Sequence, residues 1–169
     1  MIHVPDHTHT PTQTLEAKVV TVSDGVIAGT RQDASGETLR AHLAQAGWTV
    51  VESRQIPDGV DSVRDLLTEL AADFNGLIVT TGGTGFGPRD LTPEGTREAL
   101  EREAPGLAEA MRLCNPKGLG RLSRALAGTR GTALILNTPG STKGAVETLD
   151  AVLDIVPHAI ELLGGGRPH

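Results

Sequence analysis

The sequence lacks the features of a secreted or membrane-bound protein. Its 169 residues include a single cysteine, Cys114, so no disulfide can form within the chain. We interpret Cys114 as a small buried side chain, since free cysteines are usually buried. No apolar run approaches the roughly 20 residues of a membrane-spanning helix, and the N-terminus lacks the basic start and apolar stretch of a secretory signal. These absences predict a cytoplasmic protein without a membrane partner.

The sequence is also poor in the residues that bind nucleic acids. Aromatic residues make up 2% of the chain, and the formal net charge is −6. Base stacking needs aromatic side chains, and tracking of a phosphate backbone needs clustered lysine and arginine. We therefore expect no nucleic-acid partner. Any anion must be bound locally, by backbone N–H groups or through a metal ion.

The length suggests one domain, which we place at residues 17–165. Residues 1–16 read as a disordered N-terminal tail, and residues 166–169 as a short C-terminal tail. The N-terminal segment carries His3, His7 and His9 without periodicity. A metal-binding tract is one interpretation, and a solvated terminus is the one we favour.

Strand and helix patterns alternate after the tail. Strands are predicted at 18–23, 48–53, 76–81 and 132–137, and helices at 35–46, 61–72, from 92, at 105–113 and at 143–163. We expect Ser35 and Thr92 to cap their helices, and the last helix to bend or restart near Pro157. This alternation predicts an α/β domain with a mostly parallel sheet covered on both faces.

Three polar, glycine-containing loops follow predicted strands. They span residues 23–25, 80–90 and 137–142. Because parallel strands place their carboxyl ends at one edge of the sheet, we expect the three loops to form a pocket there. The second loop begins TTGGTG, and its glycines allow backbone N–H groups to surround an anion. It matches neither a Walker A loop nor a GxGxxG fingerprint. A glycine-rich turn without a ligand is the alternative.

Two carboxylates flank the glycine-rich loop. Asp90 precedes the helix that starts near Thr92, and Asp58 follows the second strand. A carboxylate pair beside phosphate oxygens suits Mg²⁺. The alternatives are a turn residue for Asp58 and a helix-start residue for Asp90. Ser123-Arg124 and Lys143 are further candidates for contact with an anion, or else surface residues. No histidine spacing predicts a zinc site, and no GxSxG motif predicts a serine hydrolase.

The sequence resembles the molybdenum-cofactor-biosynthesis family, which includes MogA-like and MoaB-like proteins. The resemblance rests on TTGGTG followed by PRDLTPE at 88–94. It extends to Ser23-Asp24, Asp33-Ala34-Ser35-Gly36, Ile56-Pro57-Asp58, Leu122-Ser123-Arg124 and Pro139-Gly140-Ser141. It covers roughly residues 17–165 and implies a three-layer α/β/α Rossmann-like domain.

The resemblance also implies an activity, in which AMP passes from Mg-ATP to molybdopterin and pyrophosphate is released. It implies that Asp58 and Asp90 are the catalytic and Mg²⁺-binding carboxylates. Residues implied to bind substrate or phosphate are Ser23, Asp24, Thr81, Gly82, Gly83, Thr84, Gly85, Ser123, Pro139, Gly140 and Ser141. No permanently bound cofactor is expected. A non-catalytic, MoaB-like pterin carrier or scaffold is the alternative.

The expected partners also follow from the resemblance. They are molybdopterin, ATP and other proteins of the molybdenum-cofactor pathway. Self-association is implied as well, with a trimer favoured over a hexamer.

Overall fold

The computed structural model describes residues 14–166, which fold around one sheet. The strands are β1 Glu16–Val22, β2 Thr49–Ile56, β3 Leu77–Thr81, β4 Arg102–Glu103, β5 Ala127–Arg130 and β6 Ala133–Thr138. The helices are α1 Asp24–Ile27, α2 Ala34–Gln45, α3 Val60–Ala71, α4 Thr92–Ala99, α5 Pro105–Leu113, α6 Thr142–Leu153 and α7 Val156–Leu163, with a 3-10 helix at Leu119–Leu122. The interpretation of His3, His7 and His9 lies outside the described residues, as do most of the two predicted tails.

The sheet has the strand order β2-β1-β3-β6-β5-β4. Pairing is parallel from β2 through β6, whereas β5 and β4 are antiparallel to their neighbours. The predicted mostly parallel α/β fold is confirmed. The sequence patterns missed β4 and β5 because two- and four-residue strands are too short to show an alternation of apolar and polar side chains.

Helices cover both faces of the sheet and form two separate apolar cores. On one face, α2, α5, α6 and α7 pack around side chains such as Leu43, Met111 and Leu149. On the other face, α3 presents the predicted stripe Val63, Leu66, Leu67 and Leu70. The central strands β3 and β6 are buried throughout because they are covered on both sides. The three-layer α/β/α arrangement is therefore confirmed.

Two predicted helix caps are wrong. Helix α2 is capped by Asp33, whose side chain accepts a hydrogen bond from the Gly36 N–H at 3.1 Å. Ser35 instead lies inside the helix. Helix α4 begins at Thr92, but the Thr92 hydroxyl donates to the Gly82 carbonyl at 2.8 Å and caps nothing. At α2 the aspartate that caps the helix is itself a locally favoured capping residue, two positions before the one predicted. At α4 a tertiary hydrogen bond to Gly82 occupies the Thr92 hydroxyl instead.

The C-terminal helical stretch is interrupted as predicted. Helix α6 ends at Leu153, and α7 restarts with Pro157 in its first turn, where the missing N–H of proline costs no helical hydrogen bond. None of the helices within residues 14–166 is long and apolar enough to cross a membrane.

The chain path creates a crevice at one edge of the sheet. After β1 the chain crosses to β2 on one side, and it then returns to form β3 on the other side of β1. The connections after β1 and β3 therefore diverge. In open α/β sheets such a switch point, at the carboxyl ends of the strands, is where ligands bind.

Candidate active site

A cleft of about 790 Å³ opens at the carboxyl ends of β1, β3 and β6. Residues from all three predicted loops line it, together with Asp58 from the loop after β2. Of the predicted site residues, the cleft is lined by Ser23, Asp58, Thr81, Gly82, Gly83, Thr84, Gly85, Asp90, Ser123, Pro139, Gly140 and Ser141. Asp24 is the predicted residue that does not line the cleft.

The glycine-rich loop is held in place through its own backbone. Gly82 has φ +101° and Gly83 has φ +71°, a region that other residues rarely adopt. The Gly82 N–H donates to the Thr138 carbonyl at 3.1 Å. Thr92 fixes the next turn, since its hydroxyl donates to the Gly82 carbonyl and its N–H donates to the Gly83 carbonyl at 3.1 Å. The loop is therefore preorganised by β6 and α4.

Three successive backbone donors of this loop are free. The N–H groups of Gly83, Thr84 and Gly85 donate to no acceptor within residues 14–166. The Thr84 hydroxyl likewise has no hydrogen-bond partner among the described residues. Consecutive free N–H groups form a concavity that binds anions. The loop is thus equipped to hold a phosphate without a cationic side chain.

Three serine hydroxyls line the cleft with their protons available. Ser23 accepts from the Val26 N–H at 3.2 Å, and Ser141 accepts from the Gly144 N–H at 3.1 Å. Ser123 accepts from the Ala125 N–H at 3.3 Å. None of the three hydroxyls donates a hydrogen bond to another residue of the described chain. Because a hydroxyl is both an acceptor and a donor, each can still donate to a ligand oxygen.

The two carboxylates in the cleft each keep one free oxygen. Asp58 Oδ2 accepts from the Asp24 N–H at 2.9 Å, and Asp90 Oδ2 accepts from the Gly87 N–H at 2.8 Å. The Oδ1 atoms of both residues accept no hydrogen bond from residues 14–166. Within that range no group of three or more His, Cys, Asp or Glu side chains could hold a metal ion. Two carboxylates are not a complete protein cage, and they are the kind of donor set that Mg²⁺ takes where substrate oxygens and water complete the coordination.

Asp24 forms a bridge between loops. Its carboxylate accepts two hydrogen bonds from Arg89, from Nε at 3.0 Å and from Nη2 at 3.2 Å. It also accepts from the Asp58 N–H at 3.0 Å. The hydrogen bond from Arg89 lowers the pKa of the Asp24 carboxyl below its usual range, although partial desolvation opposes the shift. Asp24 is therefore an anion throughout the neutral range.

Arg124 holds the glycine-rich loop through hydrogen bonds to its backbone carbonyls. Its guanidinium donates to the Gly85 carbonyl at 2.9 Å and to the Asp90 carbonyl at 2.6 Å. It also pairs with both carboxylate oxygens of Glu94, and this hydrogen bonding lowers the pKa of Glu94. Arg124 thus acts neither as the anion donor nor as the surface residue that the sequence left open. It holds the loop and the start of α4 together.

Buried polar side chains join the strand ends beneath the cleft. The Thr81 hydroxyl donates to the Pro139 carbonyl at 2.8 Å, which ties the second loop to the third. The Asn137 amide donates to the hydroxyls of Thr80 and Thr96 and accepts from the Leu126 N–H. Asn137 opens the predicted third loop, but it is a fully buried residue of β6. Its role is structural.

The sequence reasoning missed part of the cleft wall. Arg31 lines the cleft and has no acidic partner within residues 14–166. Its loop doubles back on α1, since the Arg31 N–H donates to the Gly25 carbonyl at 3.1 Å. Lys143 also lines the cleft, and its Nζ lies 3.7 Å from Glu147 Oε1. No local pattern marks Arg31, because its position depends on how this loop folds back.

Part of the cleft lining is apolar and forms one wall. It is formed by Met111, Leu119 and Leu122, at the end of α5 and along the 3-10 helix. Cys114 is part of this wall and is exposed, so the prediction of a buried cysteine is wrong. It lies just past the end of α5, where no other element covers it. Desolvation and the nearby Glu147 raise the pKa of its thiol, which stays protonated at neutral pH.

Both the sequence and the structure are similar to those of known proteins. Residues 18–158 match the family model described as a probable molybdopterin binding domain. The structure resembles that of the molybdopterin biosynthesis enzyme MoaB from Thermus thermophilus, with a TM-score of 0.83 and 46% identity over 92% of this chain and 99% of that one.

Curated relatives show the same relationship. The molybdopterin adenylyltransferase of Escherichia coli is 37% identical over 90% of this chain and 87% of that protein. The molybdenum cofactor synthesis protein cinnamon of Drosophila melanogaster is 39% identical over 86% of this chain, which spans a quarter of the fly protein. The chain therefore belongs to the family of probable molybdopterin binding domains.

Proposed function

We propose that this chain is a molybdopterin adenylyltransferase of molybdenum cofactor biosynthesis. A phosphate oxygen of molybdopterin attacks the α-phosphorus of ATP and forms a new P–O bond. The bond between the α-phosphorus and the bridging oxygen to the β-phosphate breaks, and pyrophosphate leaves with its electron pair. The observation that carries the proposal is the row of free N–H donors at Gly83–Gly85 in the same cleft as Asp58 and Asp90.

The reaction needs alignment and charge neutralisation more than a protein nucleophile. The attacking atom belongs to the substrate, which agrees with the protonated Cys114 and with serines that lack a basic partner among the described residues. The loop donors and the hydroxyls of Ser23, Ser123 and Ser141 hold phosphate oxygens in position. Preorganised donors of this kind contribute because they need no rearrangement as charge moves in the transition state.

Asp58 and Asp90 would hold Mg²⁺ through their free Oδ1 atoms. When bound, Mg²⁺ neutralises negative charge on the phosphate chain of ATP. Each carboxylate accepts a hydrogen bond from a backbone N–H, which fixes its position. The two carboxylates would therefore determine where along the phosphate chain the charge is neutralised. ATP is a co-substrate here, and the proposal includes no permanently bound cofactor.

The decisive experiment is molybdopterin-dependent release of pyrophosphate from ATP in the presence of Mg²⁺. Release that requires molybdopterin supports the transferase. Calorimetric titration distinguishes the alternative, a pterin carrier of the same pathway. Tight binding of molybdopterin without ATP binding or turnover would favour the carrier and contradict the transferase.

Replacing Arg31 by alanine is expected to raise the KM for ATP or for molybdopterin about ten-fold, with a smaller effect on kcat. The reason is the loss of a charge-assisted hydrogen bond to a substrate anion. Initial rates measured against each substrate in turn test this. Arg102→Ala is the matched control, because Arg102 is an exposed arginine of β4 without an acidic partner in the described chain. Equal KM values for the two variants would contradict a ligand contact by Arg31.

We also infer a homotrimer, rather than a hexamer, located in the cytoplasm and acting with other proteins of the same pathway. The family resemblance supports this assembly. Light scattering at micromolar concentration is expected to give three times the 17.6 kDa chain mass. A stable monomer would contradict the inference.

A further inference from the structure

Asp24 and Asp58 are locked together by reciprocal hydrogen bonds. The Asp24 N–H donates to Asp58 Oδ2 at 2.9 Å, and the Asp58 N–H donates to Asp24 Oδ1 at 3.0 Å. Each carboxylate thus contacts the backbone of the other loop. The position of the Asp58 side chain therefore depends on where Asp24 is held.

Arg89 holds Asp24. Its guanidinium forms a fork on the Asp24 carboxylate, and Nη2 also donates to the Asp58 carbonyl at 2.7 Å. Arg89 directly precedes Asp90, the second carboxylate of the cleft. One side chain therefore connects the loops that follow β1, β2 and β3. The two carboxylates come from separate loops, and Arg89 is the residue that links them through its side chain and its own backbone.

The location of this contact argues against a role in stability. The Arg89 side chain is 61% exposed and that of Asp24 is 46% exposed. Exposed ion pairs contribute little to the free energy of unfolding. A planar guanidinium fork nevertheless fixes direction as well as distance, which a lysine cannot do. The geometry suits a residue that orients others.

We propose that Arg89 and Asp24 form a positioning clamp that sets the separation of Asp58 and Asp90 for the metal-bound phosphate chain. The inference rests on the proposed function. It reassigns Asp24 from a ligand contact to a positioning residue. Residues that orient metal ligands act on affinity and turnover without touching the substrate.

The test compares Arg89→Gln with Arg97→Gln. Arg97 is a matched control, because it is also 61% exposed and donates to Glu103 at 3.1 Å, away from the cleft. We expect Arg89→Gln to lower kcat about 10-fold or more and to raise the half-saturating Mg²⁺ concentration by a similar factor, with an unchanged Tm. Arg89→Lys should recover part of the loss. Wild-type kcat and Mg²⁺ dependence in Arg89→Gln would overturn the clamp.

A double variant separates the two roles of Asp24. If Arg89 and Asp24 act as one unit, Asp24→Asn combined with Arg89→Gln will be about as impaired as the worse single variant. Fully multiplicative losses would make Asp24 an independent ligand contact and overturn the proposal.

A second readout does not depend on turnover. Amide hydrogen exchange at Asp24 and Asp58 should accelerate in Arg89→Gln and stay unchanged in Arg97→Gln. If the wild-type protein releases no pyrophosphate, the proposed function fails, and the exchange rates still decide the clamp. Unchanged exchange at both amides in Arg89→Gln would overturn it.

Discussion

Replacing either Asp58 or Asp90 by asparagine is expected to reduce kcat/KM about 100-fold or more. Removing a group that only orients a metal ligand typically lowers metal affinity or activity roughly 10- to 100-fold. Removing a carboxylate that binds the metal directly should lower activity at least as much. Asparagine keeps an oxygen that can accept the N–H of Asp24 or of Gly87. The loop geometry is therefore retained while the negative charge is lost. Steady-state rates at saturating Mg²⁺ measure the effect.

The matched control is Asp61→Asn. Asp61 lies near Asp58 in sequence, but it is an exposed residue of α3 that pairs with Arg64. It should leave both turnover and Tm nearly unchanged. Thermal unfolding of all three variants separates a chemical role from a structural one. Full activity of a double Asp58→Asn, Asp90→Asn variant would refute the roles assigned to both carboxylates.

Gly82→Ala is expected to destabilise the protein by about 3 kcal/mol or more, the largest effect on stability that we predict. Gly82 combines a φ of +101° with close packing, because a Cβ atom there would collide with the carbonyl oxygen of Val22. That carbonyl is part of β1 and cannot move without disturbing the sheet. Chemical denaturation of the purified variant measures the loss in the free energy of unfolding.

Gly47→Ala isolates the cost of the backbone angle. Gly47 has φ +91°, but a Cβ atom there meets no atom within 4 Å. We expect a loss of about 1–2 kcal/mol, from the strained φ alone. A Gly82→Ala variant that is no less stable than Gly47→Ala would show that the loop moves away from β1 without penalty. The close packing would then not be what requires glycine at this position.

The fold was predictable where an element is long enough to show a repeating apolar pattern or carries a clear boundary residue. The stripe Val63, Leu66, Leu67 and Leu70 lies buried against the sheet as expected, and Pro157 marks the start of α7. Strand β5 was not predictable. Its sequence, AGTR, has neither a run of apolar residues nor an alternation, and it becomes a strand because β6 and β4 pair with it. Pairing partners, rather than propensity, decide such short strands.

The site was predictable to the extent that it follows from sheet topology. Parallel strands bring their carboxyl ends together, which is why the loops containing Ser23, Thr84 and Ser141 share a cleft. Contacts between side chains were not predictable. Asp24 and Arg89 are 65 residues apart in sequence, and nothing near either one signals the other. The exposure of Cys114 was likewise not predictable, because it depends on how other elements pack near the end of α5.

The order of strands in the sheet has a consequence for folding during synthesis on the ribosome. Among the strand pairings of residues 14–166, the β5–β6 hairpin joins the residues closest in sequence, with Arg130 opposite Ala133. The parallel pairings are distant, since Ala17 pairs with Leu77 and Leu77 with Leu134. Such non-local contacts form slowly. A nascent chain therefore holds no complete cleft until β6 and the start of α6 have emerged, because Ser141 and Lys143 are part of the lining.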